Sequence, residues 1–156
     1  MAEKMSLDYV KEIAHKTNNE EAILELEQIQ PTYLTEDWYK QIKIQRKWLL
    51  RFGGVYHTLD TYNHEALVLI KAPEYSILDF ALWPFGSTSS LKQLQPMVME
   101  IDLKKTISQV NVPIYFFVGR YDFNTPSALI EAYFNDLTAP AGKKLIWFEN
   151  SAHSII

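Results

Sequence analysis

The chain reads as α/β, with a helical first part followed by a C-terminal βαβ unit containing few parallel strands. Three observations predict this. Val112-Pro113-Ile114-Tyr115-Phe116-Phe117-Val118 is an apolar run rich in β-branched and aromatic residues, the pattern of a buried strand. Leu129, Ile130, Tyr133, Phe134 and Leu137 recur at helical spacing and form one apolar face. Lys144-Leu145-Ile146-Trp147-Phe148 is a second short strand-like run. Two strands joined by a helical crossover form a right-handed unit, and both strands then end at the same edge of a parallel sheet.

Chemistry-bearing residues follow each strand. The first strand breaks at Gly119-Arg120-Tyr121-Asp122, and Thr125-Pro126 then reads as an N-cap with proline at the first helical position. The second strand passes through Ala139-Pro140-Ala141-Gly142 before it and into Glu149-Asn150-Ser151-Ala152-His153 after it. Asp122 and His153 are therefore expected at one sheet edge, where α/β folds place their active sites. Taken singly, each is an ordinary turn aspartate or surface histidine; the ordered pair carries the signal.

That pattern resembles the α/β-hydrolase family, most closely its proline iminopeptidase-like members, which end with a strand, a Gly-x-x-Asp turn, a helix, a strand and a Ser-Ala-His turn. The resemblance covers the stretch from Val112 to His153. It implies that Asp122 is the acid and His153 the base of a catalytic triad, in the family's chain order. In such a triad the aspartate fixes the imidazole tautomer, and the histidine takes the proton of a serine hydroxyl.

One departure limits what the chain can do alone. The family's nucleophile stands in Gly-x-Ser-x-Gly, upstream of the acid. The five glycines here are Gly53, Gly54, Gly86, Gly119 and Gly142, and none has a serine two positions on. No serine has a glycine two positions on either. Compared with the family, the strands and oxyanion-hole loop that precede this part are missing, as is a closing helix after His153.

Composition sets the broad class. The 156 residues suit one domain with a sizeable core, and 47% apolar content excludes a disordered chain. A net charge of −4 with scattered charges argues against nucleic acid or an anionic membrane as partner. No run of eighteen apolar residues is present, so no membrane span is expected, and Met1-Ala2-Glu3-Lys4-Met5 lacks a signal-peptide core. The absence of cysteine excludes disulfides, thiolate metal sites and a cysteine nucleophile. A cytoplasmic protein is the simplest reading. No cofactor and no metal are expected.

The first hundred residues read as helices. Leu7, Val10, Ile13 and Ala14 mark one; Asn18 with Glu21 resembles a capping box for a second, carrying Ile23, Leu26 and Ile29 and ending before Pro31. Thr35 is expected to cap a longer helix with Glu36 and Asp37 in its first turn. Its apolar line Trp38, Ile42, Leu49, Phe52 stops at Gly53-Gly54, a strong C-terminal signal. A helix from His64 to Lys71 is bounded by Pro73, and another with Ile77, Leu78, Phe80 and Ala81 should stop before Pro84. Gly86-Ser87-Thr88-Ser89 reads as a loop into a helix from Leu91 to Val98, and a last helix spans Asp102 to Gln109.

By the same resemblance, residues 1–100 correspond to a helical cap and 101–156 to the C-terminal part of the hydrolase core. The stretch from Asn19 through Arg46-Lys47-Trp48 to Phe52-Gly53-Gly54 is similar to such a cap. A cap shields the catalytic edge from water and shapes the pocket. Tyr75, Phe80, Trp83 and Phe85 are candidates to line that pocket, and packing between cap helices is the simpler role for them. In proline iminopeptidases acidic cap residues hold the substrate's free amine, but no motif assigns that role to Glu65 or Glu74.

Other residues attract plainer readings. His15, His57 and His64 have no ligand partner at metal spacing, and Ser87-Thr88-Ser89-Ser90 looks like a loop rather than a nucleophile site. Lys104-Lys105 and Lys143-Lys144 read as solvated surface, and Ser151 as a residue that sets the histidine turn. The expected function is therefore the C-terminal part of a serine hydrolase for amides or esters, aminopeptidase-like. The complete enzyme would act on a small-molecule or peptide substrate, while this chain alone should be inactive. The alternative is a non-enzymatic binding or interaction module. A homo-oligomer is expected, since a pair of parallel strands leaves an open edge.

Overall fold

The computed structural model describes residues 1–30 and 37–154, with the side chains of His64 and Glu65 outside the description. The elements in order are α1 (Ala2–Lys16), α2 (Glu20–Glu27), α3 (Trp38–Arg51), α4 (Asn63–Lys71), α5 (Ile77–Glu100), α6 (Leu103–Thr106), β1 (Ile114–Gly119), α7 (Ser127–Asp136) and β2 (Lys143–Phe148). The strands pair in parallel, with Ile114 opposite Lys143 and Gly119 opposite Phe148. Helix and parallel sheet together make the fold α/β in the broad sense. The expected cap at Thr35, Glu36 in the first turn and the stop at Pro31 lie outside the described residues.

By contact the chain groups into two units. One comprises Met1–Asp60 with Lys104–Ile156, the other Thr61–Leu103.

The core of the first unit sits among α1, α2 and α3 rather than around the sheet. Leu7, Val10, Leu26, Trp48, Leu49 and Tyr56 are almost fully buried there. Each aliphatic side chain so buried contributes about 1.5–3 kcal/mol. Two polar residues enter the same core and satisfy their hydrogen bonds. Gln45 donates from Nε2 to the Glu3 carbonyl at 3.1 Å, and the Gln41 side chain accepts from the Gln30 amide at 2.9 Å. Helical spacing of apolar residues alone did not mark either one.

The helix ends follow local chemistry, with one shift of register. Both α1 and α3 close with the paired bonds of a Schellman motif. At α3 the Gly53 amide bonds Leu50 and the Gly54 amide bonds Leu49, with Gly53 at φ +79°. At α1 the Asn18 amide bonds His15 and the Asn19 amide bonds Ala14, with Asn18 at φ +49°. Asn18 thus ends α1, and it is Asn19 whose side chain caps α2 by accepting from Ala22 at 3.0 Å. The capping box expected from Asn18 is one residue too early, because asparagine serves equally at a left-handed C-terminal position and at an N-cap.

The second unit corrects the reading of Pro84. Instead of a stop and a loop, α5 runs unbroken through Pro84, Gly86, Ser87 and Pro96. It opens with a strong capping box, in which Ser76 and Asp79 each bond the other's backbone amide. Proline removes one helical bond and costs about 3 kcal/mol, but helix formation is cooperative and residues on both sides sustain it. The helix buries none of its residues, and Ile77 and Phe85 are 90% and 76% exposed. No helix among the described residues is long and apolar enough to cross a membrane.

The helix expected over Asp102–Gln109 shrinks to the single turn of α6. Beyond it Gln109 bridges Thr138 in parallel, and the Val110 amide bonds the Thr138 carbonyl at 3.0 Å. The β-branched residues Val110 and Val112, the latter placed before Pro113, favour extended backbone there.

Candidate active site

The site grows from the way β1 ends. Gly119 closes the strand, and the turn of Ser151 and Ala152 crosses directly against it. A Cβ at Gly119 would lie 1.9 Å from the Ala152 carbonyl oxygen and 2.7 Å from that of Ser151. Only a residue without a side chain lets the two backbones approach so closely. The crossing is then tied by hydrogen bonds. Arg120 donates its amide to Phe148, and Tyr121 donates its amide to Ser151, each at 3.0 Å. Ser151 is buried in the turn that leads to His153.

The Asp122 side chain is 6% exposed and has four polar atoms within hydrogen-bond distance. Oδ1 accepts the amides of Asn124 and Thr125, both at 2.8 Å. Oδ2 accepts the Thr125 hydroxyl at 2.7 Å and lies 3.0 Å from His153 Nδ1. The expected contact between Asp122 and His153 is therefore present, at one edge of a parallel strand pair.

Thr125 corrects a reading. It was expected to cap α7, but that helix starts after Pro126 with no side-chain cap, and the hydroxyl turns back to Asp122 instead. An N-cap oxygen would accept from helix amides, whereas here the hydroxyl donates its proton to the buried carboxylate. Thr125 Oγ1 also lies 3.1 Å from His153 Nδ1. Spacing held a clue: a side chain three residues after a turn aspartate lies within reach of it.

Neighbouring residues brace the two turns. The Ser154 amide bonds the Val55 carbonyl at 3.1 Å, and the Phe123 amide bonds Gly54 at 3.1 Å, so the segment after α3 carries both turns. Tyr9 stacks on Phe123 with centroids 3.8 Å apart, and Ser6 donates to the Phe123 carbonyl at 2.5 Å. His57 stacks on Tyr121 at 3.7 Å, which gives this histidine a packing role beside the site. Arg120 lies over the Trp147 ring and grips Glu149 through two hydrogen bonds, of 2.9 and 2.7 Å. That pairing raises the arginine's pKa and lowers the carboxylate's.

Away from the site, Lys143 is not plain surface as expected. Its ammonium caps the C-terminal end of α7, donating to the carbonyls of Phe134, Asn135 and Leu137. Cations are favoured there by the helix dipole. Lys104 forms an ion pair with Asp136 at 2.6 Å. Ser87, Thr88, Ser89 and Ser90 lie within α5 rather than in a loop.

The second unit holds a pocket of its own, of about 400 Å³, lined by Leu69, Tyr75, Asp79, Phe80, Leu82 and Trp83. Three of the four aromatics singled out from the sequence line it; Phe85 does not. The Asp79 carboxylate is held to Ser76, whose hydroxyl and amide lower its pKa. Among the described residues no cluster of histidine, aspartate and glutamate is arranged to hold a metal ion.

No family model matches the chain, and no curated protein or solved structure matches it at a significant level. What bears on its chemistry is the motif order and the geometry of Asp122, Thr125 and His153.

Proposed function

We propose that Asp122 and His153 are the acid and base of a serine hydrolase, and that the chain is the cap and C-terminal part of an α/β-hydrolase similar to proline iminopeptidases. One observation carries this reading: a buried carboxylate and a histidine ring meet at 3.0 Å, just past the ends of two parallel strands. In the complete enzyme Asp122 holds Nδ1–H, and Nε2 takes the proton from the serine as it attacks an amide or ester carbonyl. The same nitrogen then returns the proton to the leaving group. The nucleophile motif is not among these residues, and an acid–base pair without it has no alkoxide to generate.

The chain by itself should show no turnover of amino-acyl amides or short esters and no labelling by a fluorophosphonate, which requires an activated serine. Stoichiometric labelling at Ser87, Ser89 or Ser151 would overturn the assignment.

A second reading, a non-enzymatic module that binds a partner or a small apolar ligand, is favoured by the second unit. There the aromatic-lined pocket lies within a unit whose long helix buries no residue. Exposed apolar surface of this kind is available for interaction. Binding of a hydrophobic fluorescent dye that W83A abolishes would support this role, and no binding would remove it.

A further inference from the structure

We propose that Thr125 is a positioning residue, which holds the His153 ring against Asp122 in the tautomer protonated at Nδ1. Three atoms form a closed triangle. Thr125 Oγ1 is 2.7 Å from Asp122 Oδ2, Asp122 Oδ2 is 3.0 Å from His153 Nδ1, and Nδ1 is 3.1 Å from Thr125 Oγ1. A hydroxyl has one proton and two lone pairs, and an ionised carboxylate has only lone pairs. The Thr125 proton goes to Oδ2, so its lone pairs face Nδ1.

Nδ1 is thereby flanked by two acceptors, and a proton on it is shared between them. With Nδ1 bare, Oδ2 would face a lone pair at 3.0 Å, and Thr125 would have to withdraw its proton from the carboxylate to satisfy the ring. Both changes disfavour the other tautomer. The outcome places the ring's lone pair at Nε2, the atom that must accept a proton in the proposed reaction.

A second acceptor also restrains the ring's orientation. The His153 side chain is 41% exposed, so packing holds it far less than it holds Asp122. The Thr125 contact adds to the aspartate's a second restraint on the ring at the same nitrogen. Thr125 itself is exposed, so substitution there leaves the core intact. Its backbone amide bond to Asp122 survives any change of side chain except proline.

The inference rests on the reading of His153 as a proton acceptor, but the two fail separately, because the tautomer is read without turnover. Two-bond proton–nitrogen spectra of the ¹⁵N-labelled chain report Nδ1 and Nε2 individually, with His153 assigned by H153N. Well above the ring's measured midpoint, the wild-type ring should show a protonated Nδ1 and a bare Nε2. In T125V, which keeps the shape and removes the hydroxyl, both signals should move toward the pattern of free imidazole. T125S should restore them. If T125V fails to fold, T125A gives the same readout. Wild-type signals unchanged in the hydroxyl-free variant, or a wild-type ring protonated at Nε2, would overturn the role of Thr125. Serine labelling of the unmodified chain would instead overturn the hydrolase reading and leave the tautomer result standing.

Discussion

Gly119 and Ala152 touch backbone to backbone, and a Cβ on the glycine would fall 1.9 Å from the alanine carbonyl oxygen. This contact decides where His153 stands relative to Asp122. The tie at Tyr121 and the crossing at Gly119 together leave the histidine turn one position against the strand end.

Replacing Gly119 by alanine should therefore displace the histidine turn. The obstructing atoms are backbone, which cannot rotate away, so the cost is that of overpacking, about 1–3 kcal/mol. Urea unfolding should show the loss, and the ring-nitrogen spectrum of G119A should lose the signature of a ring held at Asp122. Wild-type stability and an unchanged spectrum would refute the assignment.

Gly86→Ala should act in the opposite sense. Nothing lies within 4 Å of a Cβ there, and the residue sits inside α5. Alanine in an exposed helix interior is favoured over glycine by about 1 kcal/mol. Helix content by circular dichroism should rise, or resist heating further. A loss of helix would mean that a turn interrupts the segment at this residue, as local signals alone suggested.

Glu25 offers a test by pH. Its carboxylate accepts Lys47 at 2.9 Å and the Trp48 indole at 2.7 Å. The Lys47 hydrogen bond chiefly lowers its pKa, Trp48 adds to this, and desolvation opposes it. A lowered folded pKa means the contribution is full above the unfolded carboxylate value of about 4.3 and vanishes as pH falls through the folded one. E25Q keeps an acceptor for Trp48 and should cost about 0.5 kcal/mol near neutral pH, a gap that closes on acidification. E25A leaves the indole of a buried tryptophan unpaired and should cost about 1–3 kcal/mol. A gap that widens in acid would contradict this account.

The outer edge of β1 and one face of the sheet should drive association. Tyr115 and Phe117 are 59% and 57% exposed, while Phe116 on the opposite face meets Tyr133 and Phe134 of α7. Parallel sheets are normally covered on both faces, and a pair of strands is marginal alone. We expect a homodimer or larger assembly in sedimentation at micromolar concentration, shifted toward monomer by F117D. A compact monomer of the unmodified chain would refute this.

Local pattern was enough for much of the molecule. The apolar run Ile114–Val118, the second run ending at Phe148 and the helical spacing from Leu129 to Leu137 foretold the βαβ unit, since strand and helix periods are properties of neighbouring residues. The same holds for Gly53-Gly54, because only a left-handed residue closes α3 with that bond pattern. Asp122 and His153 could be paired from order and context, because a right-handed crossover brings two strand ends to one edge. Other features depended on residues far apart in the chain. Local rules broke α5 at Pro84, where cooperativity carries the helix through. Thr125 reads locally as a cap that accepts from helix amides, but its hydroxyl donates to the buried Asp122 carboxylate. The core lies among α1, α2 and α3, with Gln45 bonded to Glu3, and no period in the sequence marks a polar residue as buried. Gly119 read as a strand end, and its need to be glycine comes from Ala152, thirty-three residues on. Spacing along the chain determines periodicity and turns; which backbone crosses which, and which donor wins an acceptor, is decided only when distant segments compete for the same space.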